Sequence, residues 1–198
     1  MPIAGEMPIA GEMPIAGEMP IANENSLKQG LNGMRNKSWG MLHWLWISGA
    51  VLILDQVVKH RIVDSFYLYE QMTVIPSFFS LTLAYNTGAA FSFLSDQGGW
   101  QRWFFVAVAS VVSLMLVSWL IRMKKEESWQ ACSMALILGG ALGNLYDRVM
   151  NGYVVDFLLV YYDGWYFPSF NLADVAITIG AAMLILDMFR SHPASDQN

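Results

Sequence analysis

Two aspartates stand eighteen residues apart in otherwise apolar sequence, Asp156 in VVDF and Asp174 in NLAD. A charged side chain at the centre of a bilayer helix costs roughly 2.5–3.5 kcal/mol on insertion scales. A carboxylate at the mouth of a run as apolar as FNLADVAITIGAAMLILDMF (170–189) therefore needs a reason to be there. Asp156 follows two valines and precedes Phe157, Leu158 and Leu159, surroundings whose desolvation raises a carboxyl's affinity for its proton. Asp174 lies three residues after Asn171. That spacing predicts Asn171 as a helix N-cap and Asp174 as the N3 residue, where the helix dipole favours negative charge. If the two side chains meet, their unequal environments let the pair share one proton, held preferentially by Asp156, and activate a water. Plainer readings stand beside this one. Asp174 can be half of a capping box and nothing more, and Asp156 can be a loop carboxylate bonded to backbone N–H groups.

Other hydrolytic toolkits are missing from the sequence. It has no HExxH, and His43, His60 and His192 are scattered, so neither a metal nor another cofactor is expected. It has no GxSxG elbow and no phosphate-binding glycine loop. The single cysteine, Cys132, lies in an apolar run and reads as buried filler. Basic residues form no patch suited to nucleic acid. Carboxylates remain: Asp55, Asp64 and Asp147 besides the two above.

The elements that must position them are those of a membrane protein. Of 198 residues, 55% are hydrophobic and 14% charged, too apolar for an ordinary water-soluble domain. Residues 1–24 repeat MPIAGE three times and end on MPIANE, one proline per unit. This reads as part of a disordered extension (1–38) preceding a membrane domain (39–190) and a short tail (191–198). Within the domain four apolar stretches, near 39–62, 103–121, 129–147 and 172–189, approach the roughly 20 residues needed to cross a bilayer. Lys28, Arg35, Lys37, Arg122, Lys124, Lys125 and Arg190 fall on one side of such a bundle, against Lys59, Arg61, Arg102 and Arg148 on the other. The positive-inside rule then makes both termini cytoplasmic. Between the first two stretches FFSLTLAY alternates large and small residues and predicts strand, with Pro76 marking an edge or a break. The connection VMNGYVVDFLLVYYDGWYFPSF (149–170) reads as an aromatic-rich loop with turn signals at DG and FP. Sheet and loop together would roof a site facing outward. The fold class expected is thus an all-α membrane bundle of four transmembrane helices carrying a small outer β-sheet and an aromatic loop.

Five stretches in order, LDQVVK (54–59), YNTGAAFS (85–92), GGALGNLYDR (139–148), VVDF (154–157) and FNLADVAI (170–177), resemble the motifs of lipoprotein signal peptidase, the signal peptidase II family. The likeness runs from about Trp39 to Phe189. It implies an aspartyl endopeptidase of the bacterial cytoplasmic membrane that cuts signal peptides from diacylglyceryl-modified prolipoproteins just before the lipid-bearing cysteine. It implies a catalytic pair at Asp156 and Asp174. It also implies supporting positions at Asp55 and Lys59, Asn86 and Gly88, Asn144 and Arg148, and Asn171 and Ala173. Partners would be the lipidated substrate and membrane lipid, and nothing demands more than a monomer.

Each supporting residue also has a plain reading. Asp55 and Lys59 make an i,i+4 ion pair, Arg148 can snorkel from a helix end, and Asn86 with Gly88 looks like a turn. Asp147 reads as structural, and Gly139, Gly140 and Gly143 as sites of close helix packing. Two other functions fit the same residues: a proton-coupled transporter using Asp55, Asp156 and Asp174 as a relay, or a non-enzymatic membrane scaffold.

Overall fold

A computed structural model describes residues 40–88 and 99–190. The N-terminal extension 1–38, Trp39, the last four residues of YNTGAAFS and the tail 191–198 lie outside the described residues. A short 3-10 turn (Leu42–Trp44) leads into α1 (Leu45–Ser65), followed by strands β1 (Gln71–Ile75) and β2 (Phe79–Asn86). Then come α2 (Trp100–Arg122), α3 (Ser128–Met150), β3 (Val154–Tyr162), β4 (Trp165–Tyr166) and α4 (Leu172–Arg190). All four expected helices form. Two of them, α2 and Leu172–Phe189 of α4, are long and apolar enough to cross a membrane. Large apolar side chains such as Ile53, Val111, Leu114 and Leu186 face outward. In water that would be a liability; in hydrocarbon it costs nothing.

Helix α3 is central and packs on α1, α2 and α4. Its glycines make this possible. A Cβ on Gly140 would collide with the Ala173 carbonyl, and one on Gly143 would stand 2.8 Å from an Asp55 carboxyl oxygen. Both positions therefore bring α1 and the start of α4 against α3 at the level of the acidic residues. One apolar cluster, including Met41, Leu116, Leu120, Met134 and Leu138, closes the helices at one level. A second, Ile62, Leu83, Val155 and Phe157, ties α1 to the sheet.

The sheet is antiparallel in the order β1-β2-β3-β4. Here the structure departs from the sequence reading: half of the aromatic connection is not loop but strand. VVDFLLVYY forms β3, paired with β2 so that Ala84 lies opposite Asp156 and Asn86 opposite Val154. Valines and aromatics favour a pleated, half-buried surface, and β3 is buried over its first four residues. The chain turns at Asp163–Gly164, both at positive φ. It then returns so that Phe157 and Leu158 donate to the Phe170 carbonyl at 2.9 and 2.8 Å. That return delivers residue 171, and the start of α4, beside Asp156.

Candidate functional site

The second expectation drawn from spacing is met in detail. Asn171 Oδ1 accepts from the Asp174 N–H at 3.0 Å, and the Asn171 N–H donates to Asp174 Oδ2 at 3.3 Å, a reciprocal cap on α4. The same asparagine reaches the other aspartate, its Nδ2 donating to Asp156 Oδ1 at 2.7 Å. Capping and chemistry are therefore compatible readings of Asp174. One residue holds both carboxylates, Asp156 through its side-chain NH2 and Asp174 through its backbone N–H.

Three amides around the pair have their orientation fixed by groups that can only donate. Asn171 must turn its oxygen to the backbone N–H of Asp174, leaving its NH2 for Asp156. Asn86 accepts from the Gly88 N–H at 2.9 Å, so its Nδ2 faces Asp156 Oδ2 at 3.0 Å. Asn144 accepts from Lys59 Nζ at 3.2 Å, so its Nδ2 faces Asp174 Oδ1 at 2.7 Å. Gly88, at φ 112°, holds a backbone conformation that favours glycine, and its N–H orients Asn86. Both aspartates thus receive neutral donors from two sides.

Asp156 is 2% exposed. Burial pushes its carboxyl up to about 7; the nearby Asp174 charge acts in the same direction, while the Asn86 and Asn171 hydrogen bonds and Lys59 oppose it. A carboxyl in that range holds a proton near neutrality and can give it up, as a general acid requires. Both aspartates line an open cleft of about 940 Å³ together with Asn86, Arg148, Tyr69 and Phe170.

Asp55 and Lys59 do pair, at 2.7 Å, and both are buried, at 0% and 2% exposed. The ammonium also meets Asp147 at 2.8 Å, completing its three donors with Asn144. Asp55 Oδ1 accepts from the Ala173 N–H at 3.0 Å, which is the contact Ala173 brings to the site. Arg148 Nη1 donates to the Asn144 carbonyl at 3.3 Å, and its guanidinium lies 5.0 Å from the Phe105 ring centre. Asp147 and Gln56 were not singled out for this network. Gln56 donates to Asp147 Oδ1 at 3.0 Å, and Asp147 Oδ2 accepts from the Val155 N–H at 3.3 Å. The i,i+3 spacing of Asn144 and Asp147 was the signal available for the latter. Asp64 lines a separate pocket of about 140 Å³ with His60 and Asn151, away from the paired aspartates.

The sequence model of the family described as signal peptidase (SPase) II matches residues 47–190. The lipoprotein signal peptidase of Pseudomonas paraeruginosa is 60% identical over 158 residues, covering 79% of this chain and 94% of the relative. That of Pseudomonas syringae pv. tomato is 57% identical over 164 residues, covering 82% and 95%. A solved bacterial membrane enzyme superposes with a TM-score of 0.69 at 31% identity, over 79% of this chain and 93% of its own. A second bacterial membrane enzyme structure gives 0.65 at 32% identity.

Proposed function

This chain belongs to the signal peptidase II family, and on that premise we propose that it removes signal peptides from diacylglyceryl-modified prolipoproteins as an aspartic endopeptidase, with Asp156 and Asp174 as its catalytic pair. The observation that carries this reading is the grip of Asn171 on both carboxylates at the wall of one open cleft. Asp174, at a helix N-terminus and supplied with donors by Asn144 and Asn171, takes the proton of a water held between the pair. The water attacks the scissile carbonyl. Asp156, protonated because it is buried, donates to the developing oxyanion and a proton then passes to the leaving nitrogen. No metal enters these steps.

In this reading all four helices cross the bacterial cytoplasmic membrane, both termini are cytoplasmic, and the sheet and cleft lie at the outer face. The substrate's signal helix lies against α4, its acyl chains stay in lipid, and water reaches the pair from the open side of the cleft. Asn86, Gly88, Asn144, Arg148, Asn171 and Ala173 support or line the site. Asp55 and Lys59 hold its floor. A transporter reading is not favoured by family membership, and nothing in the arrangement recommends it.

Asp156→Asn and Asp174→Asn test the pair. Each variant is expected to insert and fold yet cleave a lipidated prolipoprotein in vesicles at least about a thousandfold more slowly, the scale of lost general acid–base catalysis. Parent-like cleavage by either folded variant would sink the assignment.

A further inference from the structure

Among the described residues three that are not glycine sit at positive φ: Tyr69 at 63°, Ser77 at 60° and Asp163 at 46°. Two are accounted for by local turns. Ser77 lies in the turn joining β1 to β2, and Asp163 with Gly164 makes the tight turn between β3 and β4. Tyr69 is different. The Glu70 N–H donates to the Tyr67 carbonyl at 2.9 Å, closing a four-residue turn over 67–70, and the Tyr67 N–H donates to Glu70 Oε2 at 2.7 Å. Tyr69 is the third residue of that turn, and Leu68 before it has no positive φ. This is the place where a type II turn takes glycine or asparagine. A bulky ring there strains the backbone, and the turn gains nothing from it.

What the ring does instead follows from its surroundings. The backbone at 69 is pinned, its N–H donating to the carbonyl of the buried Leu83 at 2.7 Å. The side chain is 70% exposed. Yet it lines the same cleft as Asp156 and Asp174. It enters from the β1 edge of the sheet, whereas Phe167, whose N–H is bonded to the Val160 carbonyl of β3, enters from the β4 edge. Beside the two aspartates and polar residues such as Asn86 and Arg148, the cleft lining includes Ala84, Phe170, Val175 and Ile179. Such a channel suits apolar peptide, and an exposed ring gains contact area only when that peptide arrives.

We propose that Tyr69 is a substrate-contacting residue, held by a strained turn so that its ring packs on the apolar stretch of substrate peptide leading to the scissile bond. The proposal rests on the peptidase reading above. Strain of this kind stores a cost in the free protein that only function repays, so stability and binding should respond with opposite sign to its removal.

Tyr69→Asn and Tyr69→Gly supply the residues the turn prefers. In detergent-solubilised full chain, both are expected to melt no lower than the parent while KM for a lipidated prolipoprotein rises about three- to tenfold, the scale of one lost aromatic contact, with kcat changing much less. Tyr69→Phe, which keeps the ring, should recover most of the affinity. Ser77→Gly, which relieves a positive φ outside the cleft, should raise stability without moving KM. An unchanged KM in both turn-relieving variants overturns the proposal. So does a raised KM that comes with a lowered melting temperature, since the ring would then be scaffold. Weakened vesicle association with unchanged KM would make Tyr69 a membrane anchor instead and equally overturn it. If the parent chain itself fails to cleave the prolipoprotein, it is the peptidase reading that fails, a result distinct from all of these.

Discussion

Two groups of carboxylates share Asn144 as their common wall and are held by opposite means. On one side Asp55 and Asp147 meet the Lys59 ammonium at 2.7 and 2.8 Å. On the other, among the described residues, Asp156 and Asp174 take their hydrogen bonds from amide and backbone N–H donors. The cationic arrangement sets two buried carboxylates against one ammonium, so that removing any one partner leaves a buried charge uncompensated. The amide arrangement supplies neutral donors, which leave Asp156 able to hold or release its proton near neutrality. Under the proposed reading the difference separates scaffold from chemistry within a few side chains of each other. Asn144 joins them: its oxygen is held by Lys59, and that in turn aims its NH2 at Asp174.

The comparison breaks if the two sides respond alike to the loss of one donor. Lys59→Met leaves Asp55 and Asp147 buried without their cation, and it should cost roughly 3–5 kcal/mol of stability. Asn86→Ala removes one neutral donor from Asp156 and should cost only about 1–2 kcal/mol. Thermal unfolding in detergent reads both. Equal losses would mean that the Lys59 cluster is not the structural half.

Much of this division was legible in sequence, and the part that was not shares one physical cause. The reciprocal cap of Asn171 and Asp174 and the pairing of Asp55 with Lys59 are contacts between residues three or four apart, so spacing reports them directly. The tight approach permitted by Gly140 and Gly143 also follows from residue type. The strand at Val154–Tyr162 was hidden. A continuous apolar run lacks the alternation that marks a half-buried strand, and DG and FP signals drew the whole segment toward loop. Its partner β2 is some seventy residues earlier, and the bond from Asn86 to Asp156 exists only because of that pairing. Asp147 reads as structural from sequence, but the cation it pairs with, Lys59, comes from another helix and no local spacing reports it. No pattern of residue types reveals that Tyr69 occupies a glycine position.

A smaller effect sharpens the comparison through pH. The folded chain holds the Asp156 proton more tightly than the unfolded chain does, its carboxyl standing at about 7 against an ordinary 3.8. Unfolding therefore releases that proton between those values. The contribution of Asp156 to stability is fully present below about pH 4, falls as pH rises, and is lost above about 7. Activity should share the upper limit: kcat/KM is expected to decline about tenfold per pH unit above about 7, as the acid that serves the oxyanion and leaving group loses its proton. Bound substrate displaces water from the cleft and raises the carboxyl further, so the decline in kcat alone should begin at higher pH. A flat alkaline profile for kcat/KM to pH 9, about two units beyond that limit, would show that Asp156 is not the acid.

The smallest expected effect is none. A metal-assisted peptidase needs carboxylate or imidazole lone pairs turned toward a common point. Here carboxylate oxygens of Asp156 and Asp174 accept from N–H groups of Asn86, Asn144 and Asn171, which repel a cation and cannot ligate it. The other two carboxylates nearby already surround an ammonium. Cleavage by the chain should therefore be unchanged within about twofold after exhaustive treatment with a chelator and should gain nothing from added zinc or magnesium. Loss with chelator and recovery with one divalent ion would require those amides to rotate. For Asn144 that means release of its Oδ1 from both Lys59 Nζ and Asn171 Nδ2, from which it accepts at 3.2 and 3.3 Å.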